Sequence, residues 1–162
     1  MNDPFTANSP WHDWPIDREI VLSRVIDAPR SLVYAAWTDP AQIPLWFGPA
    51  GMEIETEEID LRPGGTWRFD MVARDGTRFR NRMLFLRMEE PARIEIEHGG
   101  GTTLFKVLIT FDEQGDDKTV LTLRQMHPSK AQREAKIRMG AVEYGMQTLD
   151  KLAGHVAKIR GK

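Results

Sequence analysis

The chain has 162 residues, with 22 Lys and Arg against 24 Asp and Glu, a formal charge of −2 and no cysteine. That length suits one domain with a sizeable core, and the missing cysteines exclude disulfides and thiolate chemistry. The near-neutral charge argues against nucleic-acid binding, no apolar run is long enough to span a bilayer, and nothing resembles a signal peptide, so a cytoplasmic location without membrane attachment is expected.

Met1 to Pro15 combine prolines with Asn, Asp and Ser, and residues 1–17 read as an irregular tail before a single domain at 18–162. Trp11 and Trp14 are costly to leave wet, so they are expected to pack back on the domain or on a second copy; monomer and homodimer both stay open. Glu19 to Ile26 reads as a strand, and Asp27-Ala28-Pro29 turns the chain. Pro29 to Thr38 reads as a short helix, and Asp39-Pro40 opens a second that ends before Gly48-Pro49. Six further strands follow at Met52–Leu61, Thr66–Ala73, Thr77–Met88, Ala92–His98, Thr103–Asp112 and Thr119–Met126. Asp75-Gly76, Pro91, Gly99 to Gly101 and Gly115-Asp116 punctuate them, which implies antiparallel hairpins.

The last stretch, Ser129 to Lys162, contains no proline and keeps a helical period. With Leu149 at the centre, Ala135, Met139, Ala141, Val142, Gly145, Met146, Leu152, Ala153, Val156 and Ile159 form one apolar stripe. Ser129 with Gln132 fits a capping box. The spacing predicts one helix of roughly 40 to 50 Å, which needs a sheet to lie on. The fold class is therefore α+β, a curved seven-stranded antiparallel sheet wrapped around a long C-terminal helix, with two short helices between the first two strands.

Strand alternation assigns an inner face. Trp67, Phe69 and Met71 share it with Phe79, Asn81, Met83 and Phe85. Ile94, Ile96 and His98 continue it, followed by Phe105, Val107, Ile109 and Phe111, then Leu121, Leu123, Gln125 and His127. A lone helix cannot cover so many large side chains, which predicts a cavity walled by these strands, by Trp37 and Trp46 of the short helices, and by Val142, Gly145, Met146 and Leu149 of the last one. Arg138, near the middle of the stripe, is either wet beyond the sheet or an anion anchor at the cavity mouth. Asn81, His98, Gln125 and His127 are the polar groups that would orient a ligand, although strand-end exposure is the plainer expectation for both histidines. Tyr144 falls off the docking face.

Four histidines without i, i+4 pairing do not make a metal site, and the glycine pairs lack the order of a phosphate loop, so no cofactor is expected. Arg78, Arg80 and Arg82 share an outer face, where pairing with Glu95 and Glu97 of the next strand is expected; the sharper alternative is a docking stripe for an acidic partner.

Four ordered motifs carry a resemblance: Arg24-Val25-Ile26-Asp27-Ala28-Pro29, then Val33 with Trp37-Thr38-Asp39-Pro40, then Trp46-Phe47-Gly48-Pro49, then Asp60-Leu61-Arg62-Pro63-Gly64-Gly65. From about Arg18 onward the chain resembles bacterial homologues of the activator of heat-shock-protein ATPase, in the SRPBCC or START-like helix-grip superfamily. It departs from that family at Gly145-Met146, where Gly-Trp is frequent. The resemblance implies a cavity for a small apolar or aromatic molecule between sheet and helix. It also implies two alternatives, a chaperone partner regulated through surface contacts, and a cyclase, dehydratase or hydrolase working on aromatic or polyketide-like substrates. For the last, His98, His127 and Tyr34 are the proton-transfer candidates, with no motif that commits the chain to catalysis.

Overall fold

In the computed structural model, which describes residues 16–100, 103–115 and 117–161, period-two alternation turns one side of every strand into the core. The strands are β1 (Glu19–Ile26), β2 (Glu53–Ile59), β3 (Thr66–Val72), β4 (Arg78–Glu89), β5 (Arg93–Gly100), β6 (Thr103–Gln114) and β7 (Lys118–Met126). They form one antiparallel sheet in the order β1-β7-β6-β5-β4-β3-β2. Consecutive hairpins run from β2 to β7, and the first strand closes beside the last. Register slips between Thr56 and Glu58 and between Phe85 and Arg87 are the bulges that bend such a sheet. The connection from β1 to the far edge carries α1 (Arg30–Thr38) and α2 (Ile43–Trp46). α2 begins later than its Asp39-Pro40 signal predicts. The Asp39 carboxylate instead accepts hydrogen bonds from Ala41 N (2.8 Å) and Gln42 Nε2 (3.0 Å), which holds residues 39–42 as a turn.

The C-terminal segment departs from expectation. It divides into α3 (Lys130–Arg138) and α4 (Ala141–Arg160), with Gly140 between them at φ +96°. A residue in the left-handed region ends a helix, and glycine reaches that region at no steric cost. α3 keeps its predicted cap, Ser129 Oγ accepting from Gln132 N at 3.1 Å. α4 buries Leu149, Leu152 and Val156.

One end of the seam is packed solid. Phe47, between α2 and β2, reaches Trp67 and Phe69 at ring distances of 5.4 and 5.8 Å, and Trp37 meets Trp46 at 4.7 Å. The Trp46 indole donates to Ala36 O at 3.0 Å. Edge-on packing of this kind adds about 0.5–1.5 kcal/mol per pair beyond area burial.

The outer-face arginines find different partners from those expected. Arg78 pairs with Glu55 (3.0 Å) and Asp70 (3.2 Å), and Arg80 with Glu57, so the carboxylates come from β2 and β3. Register explains the change. Glu95 and Glu97 lie opposite Arg87 and Leu84, well along β4 from Arg78 and Arg80. Trp11, Trp14 and His12, with the rest of residues 1–15, lie outside the described residues, as do Gly101 and Asp116. Among the described residues no helix is long and apolar enough to cross a membrane.

Candidate functional site

Beyond the aromatic plug, the sheet and the α3–α4 elbow stay apart and leave a half-open cavity of about 310 Å³ between them. Its floor is the inner face of the central strands. In register across it, Met83 lies opposite His98, His98 opposite Phe105, Val107 opposite Gln125 and Ile109 opposite Leu123. These residues, with Met71, Ile96 and His127, line the hollow. Leu22 of β1 extends that floor; Trp37, Phe47, Gly48 and Pro49 form one side of the roof, and Lys136, Ala141, Tyr144, Gly145 and Thr148 the other.

Several expected wall residues belong elsewhere. Trp46, Trp67, Phe69 and Phe85 are fully buried in the plug and the core beside it. Phe79 is 48 % exposed and, with Asn81, lines an adjoining surface groove, where Lys136 of α3 is the helical contribution. Val142, Met146 and Leu149 pack onto the core instead of facing the hollow. Arg138 is exposed in the last turn of α3, off both cavity and groove, so it is not the anchor; Lys136, two residues earlier, reaches the wall. Tyr144, placed off the docking face by its position in the stripe, lines the cavity. The break at Gly140 accounts for Arg138, because it resets the helical phase ahead of α4; Tyr144 shares α4 with Leu149 and, 52 % exposed, reaches the cavity from the side of that helix.

The polar groups cluster at one end. The His98 imidazole shares a 2.9 Å hydrogen bond between Nε2 and Asn81 Oδ1, and His127 Nε2 lies 3.1 Å from Gln125 Oε1. Phe105 sits between the two rings, 4.8 Å from His98 and 4.9 Å from His127. Contrary to the strand-end expectation, His127 is only 2 % exposed and His98 is half-buried. Burial pushes both imidazoles down to about 4; the Lys136 charge adds to this for both, and Arg133 for His127. Both rings are therefore neutral at pH 7, and the charge at the end of the cavity they form comes from Lys136.

Two further polar groups matter. Trp37 is 1 % exposed and lines the cavity, yet its indole N–H has no hydrogen-bond partner among the described residues. Most buried donors are paired, and this one is sealed in protein, so Trp37 gives the cavity an apolar ring face and no hydrogen-bond donor. Tyr34, a proton-transfer candidate, is buried edge-on against Phe111 at 5.3 Å, away from the cavity wall. Burial pushes its phenol up to about 12, with Glu90 and Glu89 adding to the shift, so it holds its proton throughout the physiological range. Among the described residues no group of three His, Asp or Glu side chains stands close enough to hold a metal ion.

A curved antiparallel sheet gripping a C-terminal helical arm over an apolar hollow defines a helix-grip, START-like domain. The family of "Activator of Hsp90 ATPase homolog 1-like" proteins matches residues 27–157, and the chain belongs to that family. Solved structures agree on the fold. A Nitrosomonas europaea protein is 23 % identical with a TM-score of 0.82, covering 91 % of this chain and 99 % of its own. An Arthrobacter aurescens protein is 21 % identical at a TM-score of 0.82, covering 88 % and 87 %. CalU16 from Micromonospora echinospora is 27 % identical at a TM-score of 0.60, covering 85 % and 75 %. No curated protein matches the chain.

Proposed function

We propose that this protein binds a small, largely apolar or aromatic molecule in the hollow between the sheet and the α3–α4 elbow. The observation that carries the reading is the cavity itself. At about 310 Å³ it falls at the lower end of the range of small-molecule sites, and it is lined mostly by Met, Ile, Val, Leu, Phe and Trp side chains. An engineered void of about 150 Å³ takes up benzene, so this one has room for roughly two fused or linked rings. The pattern of a mainly apolar wall with few polar groups, here the imidazoles, Gln125 and Lys136, is the one that binds and orients a guest.

Binding is the reading, not turnover. Each imidazole is tied to a side-chain amide and burial makes it a weak base, and among the described residues neither is hydrogen-bonded to a carboxylate that would raise its basicity. The test is native mass spectrometry of freshly purified protein, followed by titration with a library of one- and two-ring aromatics. A retained guest of a few hundred daltons, or micromolar uptake of two-ring compounds, is the expected result. No uptake across the library overturns the reading.

The family description supports a second role, stimulation of a heat-shock ATPase. Its test is the turnover of the host chaperone with and without saturating protein, where an unchanged rate removes it.

A further inference from the structure

We propose that the guest is an amphipathic carboxylate, its apolar body in the cavity and its anionic end at Lys136. The inference rests on the cavity reading above and narrows it to a ligand class. Lys136 is the one lysine, arginine, aspartate or glutamate among the residues lining the hollow. Among the described residues it has no carboxylate within ion-pair distance, whereas the neighbouring cations are engaged: Arg78 with Glu55 and Asp70, and Arg80 with Glu57. An unpaired ammonium beside an apolar wall is an open invitation to an anion, because a charge entering low dielectric needs a counter-charge.

Placement strengthens the point. Lys136 borders both the cavity and the adjoining surface groove between the ends of β4 and β5, and His98 and Phe105 are shared by the two hollows in the same way. Lys136 therefore stands where the interior meets solvent. A carboxylate there keeps part of its hydration while its hydrocarbon is buried. Among the described residues the wall contributes no Asp or Glu to repel it. The neutral imidazoles on either side of Phe105 offer polarity without competing charge. A neutral isostere forgoes the attraction to Lys136, and an amine is repelled by it, so selectivity has both a favourable and an unfavourable arm.

The experiment compares 1-naphthylacetate with 1-naphthylacetamide by calorimetric titration in low salt, using wild-type protein, Lys136→Met and Lys136→Arg. The acid is expected to bind wild type about tenfold or more tighter than the amide, a difference that shrinks as salt is added. Lys136→Met should abolish that preference, chiefly by lowering the acid's affinity to the level of the amide's, and Lys136→Arg should retain it. Proton NMR gives a readout that a merely structural lysine would not move: the acid, but not the amide, raises the pKa values of His98 and His127 by cancelling the Lys136 field. Equal affinity for acid and amide, or a preference that survives in Lys136→Met, overturns the inference while leaving the cavity reading intact. Failure of both probes on wild type while other two-ring compounds bind overturns this inference alone; no uptake of any compound overturns the cavity reading, and this inference falls with it.

Discussion

At Gly145 two requirements meet in one missing side chain. A Cβ built there would lie 2.3 Å from Leu22 Cδ1, so the glycine lets α4 come down onto β1, and the same residue also lines the cavity. An alanine gains about 1 kcal/mol of helix propensity but forces the tip of Leu22 off its rotamer at about 0.5–1.5 kcal/mol. The two nearly cancel. Gly145→Ala should therefore shift the unfolding midpoint by less than about 4 °C. Leu22 is itself a wall residue, however, so its displacement takes space from the hollow and weakens two-ring probes severalfold. Adding Leu22→Ala should restore uptake. Gly145→Leu has no such escape and should lose both probe binding and stability, so the alanine variant separates the effects more cleanly.

The histidine pair sets a pH dependence with a definite sign. Both folded-state values, about 4, lie below the ordinary 6.5 of the unfolded chain. Below pH 6.5 the unfolded state takes up protons that the folded state refuses, so stability falls as pH drops from 6.5 toward 4 and is insensitive to these rings above about 7. The combined loss should be roughly 2 kcal/mol or more by pH 4, a midpoint drop of roughly 4–8 °C. Replacing His98 and His127 by Gln should flatten that part of the profile in chemical-denaturation series. A profile unchanged by the double substitution would mean that the rings are already solvated. Lys136→Met should lift both values while leaving them under 6.5, since burial is the larger cause for each ring.

At the scale of elements, the strands were legible because a two-residue period is strict. A one-residue error would turn Trp67 and Phe69 to water, so residues such as Ile94, Val107 and Leu121 fix their own faces. The elbow was not legible. Met139 and Ala141 keep the helical rhythm across Gly140, and a sequence period says nothing about a single φ of +96°. The wall of the cavity was half-legible for a related reason. Apolar spacing picks out residues that touch protein, which is why it found Leu149 and Met146, packed on the core. Residues facing a void need not be apolar or large, and Ala141, Tyr144, Gly145 and Thr148 repeat at helical spacing along the cavity side of α4 without forming a hydrophobic stripe. Lys136 escaped because a lysine near a helix end is ordinarily a solvated charge.

The elbow can be tested as an element. Gly140→Ala places a side chain in the left-handed region, at a cost of about 1–2 kcal/mol, and its Cβ would lie 3.0 Å from the Tyr144 ring. If the break between α3 and α4 is intrinsic to the fold, the variant keeps its circular dichroism and loses roughly 3–6 °C in midpoint. A gain in helicity with no loss of stability would mean that the segment prefers to run as one straight rod, and the roof formed by Lys136 and Tyr144 would then have to move.

For the molecule as a whole, the packed and hollow halves of the seam divide the work. The plug of Trp37, Trp46, Phe47, Trp67 and Phe69 holds the short helices on the sheet, and the elbow leaves the remaining length uncovered. The empty domain thus forgoes contacts along the central strands that a guest supplies. Ligand that binds only the folded state stabilises it by about 2.7 kcal/mol at a hundred times its dissociation constant, which for a chain of this size is a rise of roughly 5–10 °C in midpoint. The rise should be accompanied by slower amide exchange in residues 136–148 and 48–50, the two sides of the roof, and by little change at Trp46, Trp67 and Phe69 of the plug, which lie off the cavity wall and are already fully buried. A guest that raised the midpoint while protecting the outer-face arginine strands instead would place its site on the surface, and the hollow would lose its claim to be where binding occurs.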